Sequence, residues 1–265
     1  MTAVAIRALI RRDAMVAVSY RTVFVLEIFF GVVELVMYFF ISRTFADFSG
    51  EELGSAPSYF GFAVIGILLG AVLIAMSSSV GYRLRDEQVT GTLEALAAAP
   101  VSSFALCIGL VGFPFVFAVT RAGIYLFIAV SVLNLDVSNA DWPGLFLVLA
   151  GTAAAIAPIG ILAGAAALAI KRGHVVSSTL IWVMTLLGGM VFPVSVLPSW
   201  LQWVSPLVPL SYAFDGAREA VFTGSDWGSN VLVLFGMAAV LLPVALFLFH
   251  WALSAARRRA TLAEY

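Results

Sequence analysis

Three ionisable residues stand in stretches otherwise suited to lipid, and they mark the first candidate chemistry in this chain. Glu27 and Glu34 are seven residues apart, close to one helical face, and Arg121 is the most deeply placed base. A charge at membrane depth is costly, so it faces protein or water and takes a partner. Two roles fit: an ion pair between spans, or a lining for the path of an anionic substrate. Structural pairing is the favoured reading, with Glu34 as the expected partner of Arg121, because both fall in the outward half of their helices. Glu27 is near enough to the interface to snorkel.

Phosphate and hydrolytic chemistry are absent from the sequence. Lys171 is the single lysine and follows no glycine-rich loop, while Gly91-Thr92 lacks a lysine altogether, so no GxxxxGK[ST] phosphate loop exists. Nor is there an HExxH, paired-cysteine or GxSxG pattern. His174 and His250 are too isolated to suggest a metal site, and Cys107 is the only cysteine. The expectation is a chain that catalyses nothing and binds no cofactor, driven by energy from another subunit.

The elements that position these residues follow from composition. With 62% hydrophobic and 11% charged residues and a mean hydropathy of +1.07, the chain is a polytopic membrane protein of the all-α class. Residues 1–21 read as an amphipathic interfacial helix, Arg7 and Arg11 on one face and Ile6, Leu9 and Ile10 on another, with Asp13 interrupting the apolar side. No cleavable-signal pattern is expected there. Six spans follow at 22–45, 59–82, 104–134, 142–170, 175–194 and 228–253. The third contains Pro114; the fourth carries Gly160 and Gly164 at the GxxxG spacing that lets helices approach closely.

Two segments break this pattern. Residues 83–103 form a polar island in which Leu84, Val89, Leu93 and Leu96 are interspersed with Asp86, Glu87, Thr92 and Glu94. That mixture suits a short helix at a membrane surface, ended by Pro100. Residues 195–227 overlap an uncharged run between Arg172 and Asp215 whose second half holds Pro193, Pro198, Pro206 and Pro209, with Trp200 and Trp203 between them. Such a stretch cannot be one straight helix, and short re-entrant helices with tryptophans at headgroup level are expected. Eleven of the fourteen Lys and Arg residues fall on the side of the two termini, which the positive-inside rule makes cytoplasmic.

The wording of these two segments is specific. GTLEALAAAPVS, preceded by Gln88, resembles the cytoplasmic coupling segment of ABC-2 type permeases, the membrane subunits of a class of ABC exporters. FPVSVLPSWLQWVSPLVPLSYAFDGAREAVFTG resembles the same family's stretch before its last helix, through Phe192, Pro193, Leu197, Pro198, Trp200, Leu201, Pro209, Leu210, Tyr212, Asp215 and Arg218. The resemblance implies an exporter subunit in the cell membrane, serving a hydrophobic drug or lipid or else a polysaccharide. It implies a separate ATPase in two copies, which holds ATP and magnesium, and a second permease chain, identical or homologous. Asp86, Glu87, Gly91, Thr92, Leu93 and Glu94 become the expected contacts to the ATPase. A non-transporting membrane scaffold with the island as docking site is the alternative of another class.

Overall fold

A computed structural model describes residues 2–44, 53–89, 103–170 and 173–258. Among them every regular element is helical. Helix α1 (Thr2–Ser19) leads into α2 (Arg21–Thr44); α3 (Tyr59–Val89), α4 (Ser103–Ser131), α5 (Trp142–Ile170) and α6 (Gly173–Gly188) follow. Short pieces come next: a 3-10 turn Val194–Val196, α7 (Ser199–Gln202), a second 3-10 turn Ser205–Leu207, and α8 (Pro209–Arg218). A π-helical turn, Glu219–Thr223, then leads to the long α9 (Trp227–Arg258).

Five of these helices are long and apolar enough to cross a membrane: α2, α3, α4, α5 and α9. The fifth expected span, 175–194, is shorter than the sequence suggests. Helix α6 has 16 residues, about 24 Å at the helical rise and less than a hydrocarbon core of about 30 Å. It stops because Gly189 adopts φ 75°, a left-handed conformation that glycine takes without steric cost. The expected helical stretch to residue 194 is thereby cut short.

Helix α3 is the axis of the molecule. Of its apolar window, 89% is buried inside the protein, against 6% for α2. It packs against α2, α4, α5, α6 and α8, and its Leu69, Leu73 and Met76 are fully enclosed. The GxxxG expectation has a direct structural counterpart: a Cβ on Gly160 would run into the backbone carbonyl of Met76. Helix α5 therefore lies backbone-to-backbone on α3, a closeness that only a residue without a side chain permits. Pro114, Pro158 and Pro243 lie inside α4, α5 and α9 without ending them, as neighbouring helices in a membrane bundle allow.

The N-terminal helix follows its amphipathic pattern. Arg7 and Arg11 are exposed, while Ile6, Leu9 and Ile10 are half-buried. Leu9 lies over Gly109 and Ile10 over Gly112, docking α1 along the first turns of α4. Asp13 is buried rather than facing water, and it accepts 3.2 Å hydrogen bonds from the Arg12 guanidinium.

Candidate functional site

The intramembrane charges meet between α2 and α4, in a different pairing from the one expected. Arg121 Nη1 donates to Glu27 Oε2 at 3.2 Å, with Arg121 mostly buried and Glu27 about half exposed. Glu34, the expected partner, stays half-buried one heptad further along α2 and within electrostatic reach of Arg121. The correction has a simple origin. Helix α4 has 29 residues and α2 has 24, and the first turns of α4 run beside α1 below the level where α2 begins. Arg121 therefore stands at the height of Glu27, which counting from the helix ends misplaces.

Neighbouring groups fix this contact. Tyr125, one turn beyond Arg121, donates its hydroxyl to the backbone carbonyl of Glu27 at 3.1 Å. Its phenol occupies the space that a side chain on Gly31 would need. On the other side Phe24 meets Phe117 edge-on at 4.4 Å between ring centroids, and the Arg121 guanidinium lies 5.7 Å from the Phe117 ring centre. Tyr125 and Gly31 were not singled out from the sequence. The signal available was the four-residue spacing between Arg121 and Tyr125, which places both on one face of α4.

The Pro/Trp segment folds into a cap built around Arg218. This side chain is 3% exposed. Its Nη2 donates to the Gly189 carbonyl at 2.8 Å, its Nη1 reaches Asp215 Oδ1 at 3.5 Å, and its guanidinium carbon lies 3.5 Å from the Phe62 ring centre. Burial pulls the guanidinium down to about 10, opposed by the neighbouring Asp215, so Arg218 remains a cation at neutral pH. One residue thus ties α8 to the end of α6 and to α3.

Two serines complete the cap. Ser205 Oγ donates to the Leu187 carbonyl at 2.8 Å, and Ser211 Oγ donates to the Ser205 carbonyl at 2.8 Å. Gln202 Nε2 closes the short turns through the carbonyls of Ser195 and Leu197, at 3.0 and 2.7 Å. Pro193 and Pro198 are the extended residues ahead of the first 3-10 turn and of α7. Pro209 opens α8, where its missing N–H costs nothing. Tyr212 is half-buried, Asp215 is exposed, and Trp200 and Trp203 are exposed on the cap's outer rim. Asp141 joins the cap to the spans: its Oδ2 accepts from Trp227 Nε1 at 3.0 Å and its N–H donates to the Ala220 carbonyl at 2.8 Å.

The polar island enters the described structure only in part. Asp86 and Glu87 lie in the last turn of α3, which runs through to Val89 without a break where the span was expected to end at residue 82. Gly91, Thr92, Leu93 and Glu94 lie outside the described residues.

Comparison with known proteins bears on the whole arrangement. Residues 4–222 match the family described as ABC-2 type transporter. The chain is 26% identical over 227 residues to the "Inner membrane transport permease YadH" of Escherichia coli (strain K12), covering 84% of each chain. The protein of the same name from Shigella flexneri matches to the same extent.

Proposed function

The chain belongs to the ABC-2 type transporter family, and on that premise we propose that it is the permease subunit of an ATP-driven exporter. Its substrate is a hydrophobic or amphipathic compound, a drug or a lipid, taken from the cytoplasm or the inner leaflet. A separate ATPase in two copies holds ATP and magnesium, and a second permease chain completes the path. Both termini face the cytoplasm in the cell membrane.

The observation that carries this reading is the extent of the family match, which takes in both the polar island and the Pro/Trp cap. The sequence has no phosphate loop, so an ATP-driven machine needs the partner. Asp86, Glu87, Gly91, Thr92, Leu93 and Glu94 are the proposed contacts to it.

The test is ATPase activity of the chain reconstituted in lipid with the ATP-binding protein encoded beside it. Stimulation by one class of drug or lipid supports the proposal. Stable assembly stimulated only by glycans moves the substrate to that class. Failure to assemble with any ATP-binding subunit rejects the exporter reading in favour of a scaffold.

A further inference from the structure

Helices α4 and α5 follow each other in the chain, yet both lean on α3 and barely touch one another. The loop between them keeps them apart. Asn134 takes a left-handed conformation at φ 55°, and the Leu135 N–H turns back to the Ala129 carbonyl at 2.9 Å, with the Leu135 side chain buried. Below the loop lies a half-open slot of about 440 Å³. Ile65 and Leu69 of α3 form its back wall, Ala122 and Leu126 of α4 one side, and Leu145 and Leu149 of α5 the other. At its mouth Gly123 has open space where a side chain would stand.

We propose that this slot binds one acyl chain of a phospholipid with an amine-bearing, zwitterionic headgroup, in the leaflet opposite the two termini. Three observations identify the occupant. The α4 lining runs from Val119 to Ser131, about 18 Å at the helical rise, close to the depth of one leaflet, about half of 30 Å. Its walls are apolar, and an unfilled slot facing lipid forfeits dispersion contacts that an acyl chain restores. The loop above its outer end carries Asp136 and Asp141 and no Lys or Arg. Both Asp141 oxygens are taken by Gly144 and Trp227; Asp136 accepts the Ser138 N–H on Oδ1 at 3.0 Å but is exposed, so its carboxylate is the one placed to meet an ammonium group and to repel an anionic lipid. The site is independent of the transport reading, since it needs neither ATP nor a partner chain.

Native mass spectrometry tests this on the full chain extracted from bilayers of phosphatidylethanolamine and phosphatidylglycerol with matched acyl chains. One phosphatidylethanolamine per chain is expected to survive mild delipidation. Gly123→Phe, which fills the mouth, is expected to lower its occupancy at least tenfold. Gly236→Phe, at another glycine with open space on α9, is expected to leave it unchanged. Gly123→Leu serves if the larger side chain impairs folding. Phosphatidylethanolamine with a diazirine in its acyl chain is expected to crosslink wild-type protein within residues 119–131 and 65–69. Equal retention in Gly123→Phe and wild type, or crosslinks concentrated on α2 and α9, overturns the site; equal retention of phosphatidylglycerol overturns the headgroup preference.

Discussion

Arg218 shows how little of a residue's weight resides in its ion pair. Its carboxylate partner Asp215 is 63% exposed, and a pair open to solvent contributes at most about 1 kcal/mol. The bond to Gly189 and the face of Phe62 are enclosed, and leaving a buried carbonyl unsatisfied costs about 1–3 kcal/mol. Arg218→Met is therefore expected to lower stability by about 3 kcal/mol and Asp215→Asn by less than about 1 kcal/mol. Unfolding in mixed micelles checks this; equal losses would place the energy in the ion pair instead. The contact between α2 and α4 gives a second contrast. Glu27→Gln should cost about 2 kcal/mol and Glu34→Gln under about 1 kcal/mol, and Glu27 should couple to Arg121→Met more strongly than Glu34 does in double-mutant cycles. The three charges were legible in the sequence as residues in need of partners. Which carboxylate Arg121 takes was not, because the choice depends on the heights of two helices, and a sequence gives lengths but not offsets.

At the scale of the elements, hydrophobic runs and punctuation marked out the bundle while its inner contacts stayed hidden. The uncharged stretch with its four prolines required several short pieces, and the cap consists of short pieces. The end of α6 was not visible, since Gly188 and Gly189 look alike in sequence and only the second adopts a positive φ. Gly160 was readable as a close-packing residue, though not as a partner of α3. Its position against the Met76 carbonyl leads to a sharp expectation. Gly160→Leu should force the α3–α5 contact open and cost several kcal/mol, of order 3. Gly236→Leu, where nothing stands within 4 Å, should be nearly neutral. Thermal unfolding of the two variants side by side separates a packing role from a mere intolerance of bulk in helices.

For the whole molecule, the central question is how force from outside reaches α3. Glu94→Arg is expected to uncouple ATP hydrolysis from export, leaving assembly with the ATPase measurable; unchanged export would remove Glu94 from the coupling contacts. Sequence wording carried the family resemblance through two stretches in order, a signal that composition alone could not supply. The length of α3 carries a further consequence. Its uncharged stretch ends at Tyr82, yet the helix continues to Val89, about 10 Å more at the helical rise. Headgroups occupy about 6 Å beyond the hydrocarbon on each side, so for an upright helix Val89 clears them by about 4 Å. That clearance is shorter than the Debye length of about 8 Å at physiological salt. The surface charge of the bilayer is thus still felt at the point where α3 ends, and affinity for the ATPase should change as anionic lipid is raised from none to half of the membrane, a dependence that fades as salt is raised.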